Sequence, residues 1–249
     1  MSRKPDTIVG RIPVLESLRA GKRSARRLSI LESAKGLEEI VRAAGVIPVA
    51  ACRRPDLDRL AGGTQHQGVV LEADPLPVYP LDAWLRRPLA QDAIVLILDG
   101  IEDPHNFGAI VRSAAACGAA GVVFAKDRAA PVSAAAYKSA AGAMEYVDLI
   151  QVTNVVRSIQ MLQQEGFWAT ALEADADVVL WEADLLGRVA LIIGSEGQGI
   201  RRLVRKRCDR SARIPLSGPI TSLNASVSAA IALVECVRQR CMAGKACSS

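Results

Sequence analysis

Three short stretches of this chain gather the residues that could do chemistry. Residues 103–112 read D-P-H-N-F-G-A-I-V-R and carry Asn106, Gly108 and Arg112, the last being the only charge between Asn106 and Gly118. Residues 193–199 read I-G-S-E-G-Q-G and carry Gly194, Glu196 and Gly199. Residues 214–226 read I-P-L-S-G-P-I-T-S-L-N-A-S and carry Ile214, Ser222, Leu223, Asn224 and Ser226. The last two are loops that follow apolar runs and are rich in small residues with side-chain oxygens. A chain that does this at strand ends builds a pocket largely from backbone groups. An arginine beside such a pocket is a poor proton acceptor. It suits the stabilisation of an oxyanion or the clamping of a phosphate.

Several other chemistries are excluded. The glycine spacing at 194–199 is G-x-x-G-x-G, not the dinucleotide G-x-G-x-x-G, and G-K-S/T is absent. There is no G-x-S-x-G elbow, and His105 has no evident nucleophile partner. Asp99, Glu102 and Asp103 sit at a strand end, where turns commonly take acids, and with only two histidines no metal site is expected. The six cysteines form no C-x-x-C pair and read as free, mostly buried thiols of a cytoplasmic protein. No signal pattern opens the chain and no apolar run approaches the ~20 residues of a membrane span.

The elements that must position these residues are legible from periodicity. All-apolar runs at 94–98 and 189–193 read as strands buried on both faces. Further strands are expected at 121–125, 148–152 and 168–172, alternating with helices at 109–117, 133–141, 154–164 and 222–240. Asn106 is the expected N-cap of the first of these helices. Such alternation implies a mostly parallel sheet with helices on both faces over residues 92–249. Residues 1–73 alternate on a smaller scale, with helices at 12–20, 37–44 and 56–61 and strands at 27–31, 46–51 and 68–71, as a separate α/β sandwich. Between them, residues 74–91 hold Pro75, Pro77, Pro80 and Pro88 and read as a semi-stiff linker.

Charge is unevenly spread over these parts. The net charge is +5, and residues 1–73 hold all of the excess, with 13 Lys/Arg against 8 Asp/Glu. Arg19, Lys22, Arg23, Arg26 and Arg27 run without an acid between them, which fits either a solvated loop or binding to a polyanion. A second basic set, Arg201, Arg202, Arg205, Lys206, Arg207, Arg210 and Arg213, lies between the two pocket loops. The Gln65–His66–Gln67–Gly68 turn fits either an ordinary turn or polar groups touching RNA.

The three motifs, in this order and spacing, resemble those of the SpoU/TrmH family of RNA 2'-O-ribose methyltransferases, over nearly the whole chain. The resemblance implies an α/β SPOUT catalytic domain with a C-terminal deep trefoil knot, preceded by a small ribosomal-protein-like (L30e-like) substrate-binding domain. It implies S-adenosylmethionine as methyl donor, held by Gly194, Gly199, Ile214, Ser222 and Leu223 at the knot. It carries the catalytic positions onto Asn106, Arg112, Glu196, Asn224 and Ser226, and it implies a homodimer. The implied substrate is RNA rather than DNA, most closely a guanosine ribose of 23S rRNA. Methylation of tRNA or another rRNA position is one alternative, and a non-catalytic RNA-binding or assembly factor is another. Ala225 stands where a bulkier apolar residue is common in the family, and Ser228 is an added polar group on the last helix.

Overall fold

The computed structural model describes residues 5–127 and 132–244. The chain divides into two compact units, residues 1–77 with 141–146, and residues 78–140 with 147–249.

In the first unit, β1 (Asp6–Val9), α1 (Arg11–Ala20), β2 (Ala25–Leu31), α2 (Glu38–Ala44), β3 (Val49–Cys52), α3 (Arg54–Leu60) and β4 (Val69–Ala73) follow in order. The sheet order is β1-β4-β2-β3, with β4 antiparallel to both neighbours and β2 parallel to β3. Strand β1 was not expected from the sequence, since four residues of mixed polarity give little period-2 signal. Val14, Leu28, Leu57, Val69, Val70 and Leu71 are fully buried at the centre of this unit.

In the second unit, β5 (Val78–Pro80) and α4 (Leu81–Leu85) come first. Residues 78–85 therefore do not form the linker expected over 74–91. Strand β5 pairs with Leu149–Gln151 at the sheet edge, where a terminal proline costs no ladder hydrogen bond. Trp84 is buried and donates its indole N–H to Asp148 at 3.0 Å. Then come β6 (Ile94–Asp99), α5 (Pro104–Ala116), β7 (Gly121–Ala125), α6 (Ala134–Ala140), β8 (Asp148–Val152), α7 (Val155–Gln164), β9 (Trp168–Leu172), β10 (Val189–Gly194), α8 (Arg202–Arg205), β11 (Arg210–Ala212) and α9 (Ala225–Met242).

The seven strands run parallel in the order β11-β9-β10-β6-β7-β8-β5. Every residue of β6 is buried, as its continuous apolar sequence requires. Period-2 alternation puts successive residues on opposite faces. Val95, Ile97, Val123 and Ile192 pack with Ile159 and Leu162 of α7, whereas Phe124 meets Phe107 of α5 edge-to-face at 5.2 Å. Helices thus cover both faces. Beyond β6 the chain lays strands β7 and β8 to one side and later returns to lay β10 and β9 on the other. The carboxyl ends of β6 and β10 are therefore a topological switch point, where open α/β sheets bind ligands.

Of the six cysteines, Cys52, Cys117, Cys208 and Cys236 are free thiols, and of these only Cys236 is buried. Cys241 is not among these free thiols, and Cys247 lies outside the described residues.

Candidate functional site at the carboxyl edge of the parallel sheet

At the switch point Gly194, the last residue of β10, pairs with Asp99, the last residue of β6. The loop that follows closes on itself: Ser195 N donates to Gly199 O at 3.1 Å and Gly199 N to Ser195 O at 2.9 Å. Gly197 and Gly199 take positive φ inside this loop. Gly194 is required for a different reason. A Cβ there would lie 2.3 Å from the Gly199 carbonyl carbon and 2.5 Å from Ile200 N. Asp99 then fixes the loop exit, accepting from Arg201 N at 2.8 Å and from Arg201 Nε at 2.7 Å.

Helix α5 enters the same edge. Its N-cap is Asp103, whose carboxylate accepts from the backbone N–H of His105 and Asn106, with Pro104 at the first helical position. The expectation that Asn106 caps a helix starting at 109 is corrected: the helix starts five residues earlier, because Asp-Pro supplies both the cap acceptor and the preset φ. The Asn106 side chain is thereby released toward the other loops. Its Nδ2 donates to Glu196 Oε1 at 3.0 Å, and its Oδ1 accepts from Asn224 Nδ2 at 3.0 Å. Asn224 Nδ2 also donates to Glu196 Oε1. At the other end of its amide, Asn224 Oδ1 caps α9, accepting from Ser226 N at 2.9 Å and Ser226 Oγ at 2.6 Å. Four of the five expected catalytic residues, one or more from each motif, are thus joined in one hydrogen-bonded cluster.

Arg112 is not in that cluster. It is exposed on α5 and makes no hydrogen bond or ion pair with the described residues. The second carboxylate oxygen of exposed Glu196 likewise has no hydrogen-bond partner among the described residues.

Beside the cluster lies a cavity of about 790 Å³, lined by Gly194, Gly199, Ile214, Ser222 and Leu223, the five expected cofactor residues, and also by Glu196 and Asn224. Residues 214–224, which carry no strand or helix, form one wall. Leu172, Glu173, Asp175 and Arg205 also line it. The sequence reading missed these four as pocket residues, although an acid just beyond an apolar strand at a carboxyl edge was the available signal. The Glu173 side chain is 8% exposed, and Arg205 Nε lies 2.7 Å from its Oε2. Burial pushes the Glu173 carboxyl above its usual range, and the Arg205 guanidinium only partly offsets this. Size and lining suit a nucleoside-bearing small molecule: apolar side chains for a base, carboxylates for hydroxyls, and close-packed backbone along the glycine loop. Among the described residues no group of three His, Cys, Asp or Glu side chains could hold a metal ion.

The basic run is less free than its sequence suggests. Arg23 is buried, its side chain 2% exposed, and pairs with Asp6 at 2.7 Å and Glu145 at 2.7 Å. Arg19 pairs with Glu16 and Glu39, and Arg26 with Asp74. Lys22 is half-buried and Arg27 is exposed. In the second set, Arg201 pairs with Asp99, Arg205 with Glu173 and Asp175, and Arg210 with Asp184. Arg213 donates to the carbonyls of Ala176 and Asp177. The side chains of Arg202, Lys206 and Arg207 remain exposed without an ion pair among the described residues.

Fold and site together define an S-adenosylmethionine-dependent RNA methyltransferase, and the chain belongs to the SpoU rRNA methylase family, whose pattern matches residues 93–234. Residues 7–79 match the domain described as RNA 2'-O ribose methyltransferase substrate binding. The chain is 43% identical over 202 residues to the 23S rRNA (guanosine-2'-O-)-methyltransferase RlmB of Escherichia coli K12, a match covering 79% of this chain and 81% of that one. It is 37% identical over 261 aligned positions to RlmB of Xylella fastidiosa, a match covering 96% of this chain and 99% of that one. The solved structure of the SpoU methyltransferase AviRb from Streptomyces viridochromogenes, in complex with AdoMet, superimposes with a TM-score of 0.79 at 25% identity, covering 96% of this chain and 91% of that one.

Proposed function

We propose that this protein transfers a methyl group from S-adenosylmethionine to the 2'-hydroxyl of a guanosine ribose in 23S rRNA. The single observation that carries the reading is the Asn106–Glu196–Asn224 cluster at the edge of the 790 Å³ cavity, which joins all three motifs at one point. RlmB relatives with this activity align over most of the chain, which supports the choice of RNA and nucleoside.

The cavity residues Gly194, Gly199, Ile214, Ser222 and Leu223 would hold S-adenosylmethionine. When bound, it supplies a methyl group already made electrophilic by its sulfonium. What the chain must add is alignment of the ribose hydroxyl and help in its losing a proton. Asn106, Asn224 and Ser226 fix the orientation of Glu196, whose free Oε2 accepts from a ribose hydroxyl. Arg112 presents an unpaired guanidinium that stabilises the developing alkoxide or clamps the adjacent phosphate.

The reading extends to assembly. Helix α9 leaves Val227 and Val234 exposed seven residues apart on one face, which supports a homodimer. The return of residues 214–225 from edge strand β11 to the Gly194–Gly199 loop supports a C-terminal trefoil knot. No helix among the described residues is long and apolar enough to cross a membrane. An rRNA substrate makes the cytoplasm the expected compartment.

The test is incubation with methyl-labelled S-adenosylmethionine and unmodified 23S rRNA, followed by mapping of the alkali-resistant phosphodiester bond. One labelled 2'-O-methylguanosine is expected. Cofactor binding without label in the RNA would sink the methyltransferase reading, and label in tRNA alone would redirect it.

A further inference from the structure

The basic run does not present five free cations, so the RNA grip of the first unit has to be sought elsewhere on its surface. Strands β2 and β3 are parallel, with Leu31 beside Cys52, so both end at one edge. Two neighbouring depressions open there. One, of about 470 Å³, is lined by Arg27, Arg53 and Arg59 with Glu32 and Asp56. The other, of about 570 Å³, is lined by Arg54, Asp58 and the 63–68 turn. Arg27, Arg53 and Arg54 are exposed and have no ion pair among the described residues, and Arg59 reaches Asp56 only at 3.5 Å. The cations outnumber the acids at this edge.

The turn beside them is held in place from both flanks. Gln67 takes φ 54°, a left-handed conformation uncommon outside glycine. Arg11 fixes it, donating from Nε to Gln67 O at 3.1 Å and from its backbone N to Gln67 Oε1 at 3.0 Å. His66 is buried beneath it, accepting from Gly68 N at 2.8 Å and meeting Asp58 Oδ1 at 3.0 Å. Gln65 is left exposed at the tip. A residue in sparsely populated backbone space persists only where its surroundings hold it there, and such residues cluster at functional sites.

Residues 1–73 contain no Phe, Trp or Tyr. The unit's one aromatic, Tyr146, donates its hydroxyl to Glu16 Oε2 at 2.7 Å and does not line either depression, so this edge has no aromatic platform on which to stack splayed bases, the commonest device for reading single-stranded RNA. What the edge offers is guanidinium groups and amides, which suit phosphate and ribose oxygens.

Resting on the function proposed above, we infer that the first unit grips the phosphodiester backbone of folded rRNA across this edge, through Arg27, Arg53, Arg54 and the Gln65 amide. Arg19, Arg23 and Arg26 instead hold the unit together. Recognition here is of backbone shape, and the choice of nucleoside is left to the methyltransferase unit.

The test compares full-length variants by equilibrium binding to a protein-free, unmodified 23S rRNA transcript across a salt series, without requiring turnover. Removing three contacts with R27Q/R53Q/R54Q should weaken binding on the order of 50-fold at ~0.15 M salt and flatten the log–log salt slope by about 2. R19Q/R26Q should stay within about twofold of the parent. R27K/R53K/R54K should recover most of the affinity, which separates charge from misfolding. An unchanged salt slope in the triple glutamine variant, or a larger loss in R19Q/R26Q, would overturn the assignment. If the parent binds rRNA by this edge yet places no methyl on it, the functional reading fails and this one stands.

Discussion

Asp99 and Arg201, 102 residues apart in sequence, are locked together where β6 ends. The Asp99 side chain is fully buried, and its two oxygens accept from the backbone N and the Nε of Arg201. This pair closes the exit of the Gly194–Gly199 loop, so it positions the cavity wall without reaching into the cavity. Arg201→Ala strips a buried carboxylate of its counter-charge and should cost about 3 kcal/mol. Asp99→Asn keeps an acceptor for Arg201 N and should cost roughly 1 kcal/mol. Denaturant titration of the two variants checks the order, and isothermal titration should find weaker S-adenosylmethionine binding in both. Equal stability of Arg201→Ala and the parent would remove the pair from the account.

Glu196 is the acceptor on which the cluster converges, taking hydrogen bonds from Asn106 Nδ2, Asn224 Nδ2 and Ala225 N on one oxygen. Glu196→Gln preserves shape and one acceptor but loses the charge, and should lower methyl transfer about 10-fold. Glu196→Ala orphans both amides and should lower it on the order of 100-fold or more, in the range of a lost positioning or oxyanion-type contact. Single-turnover rates with saturating cofactor and RNA are the measurement. A rate in Glu196→Ala near that of the parent would mean that the cluster is structural only.

The sheet, its central strands and the three motif loops were legible because β6 and β10 are continuous apolar runs that few other structures tolerate. The limits were set by long-range partners. Glu39 and Asp74 neutralise Arg19 and Arg26 from other elements, and Asp6 and Glu145 do so for Arg23, so charge counted along the chain overstated the free cations. Asn106 read as a cap because residue type cannot reveal that Asp103 already fills that role. The prolines of 74–91 read as a linker because each lowers strand propensity. An edge strand three residues long escapes that penalty.

Two motif glycines answer to different contacts, and alanine should separate them. At Gly194 a Cβ meets loop backbone at 2.3–2.5 Å. Gly194→Ala should therefore displace the 195–199 loop and abolish cofactor binding. At Gly108 a Cβ lies 2.4 Å from Ala136 O and 2.6 Å from Ser139 Cβ. Gly108→Ala should instead force α5 from α6 and cost about 1–3 kcal/mol of stability. Cofactor titration and thermal melts on both proteins check this. Cofactor binding by Gly194→Ala at parental affinity would contradict the packing argument.

Glu173 gives the cavity a pH signature. Its folded-state carboxyl is raised by burial, with Asp175 adding to the effect and Arg205 opposing it. A raised carboxyl contributes stability that is present below its unfolded value near 4.5 and is lost as pH rises through the folded value. Glu173→Gln mimics the protonated form. Its melting temperature relative to the parent should therefore be higher at pH 7.5 than at pH 4. A difference that is flat across this window, or of opposite sign, would show that Arg205 wins over burial.

Arg112 is distinguished by having no structural task. It is exposed, it pairs with none of the described residues, and its neighbours Val111 and Ala114 pack without it. Arg112→Ala should leave stability within about 0.5 kcal/mol of the parent, as surface substitutions do. S-adenosylmethionine affinity should also hold, since Arg112 does not line the cavity. Methyl transfer should fall on the order of 1000-fold if the guanidinium meets charge that develops only as the hydroxyl reacts. Arg112→Lys keeps the charge but loses the planar fork, and an intermediate rate is expected. The informative quantity is the split between kcat and KM for rRNA. A fall confined to kcat assigns the guanidinium to the reacting oxygen, and a rise confined to KM assigns it to the neighbouring phosphate. A parental value of both would remove Arg112 from the active site.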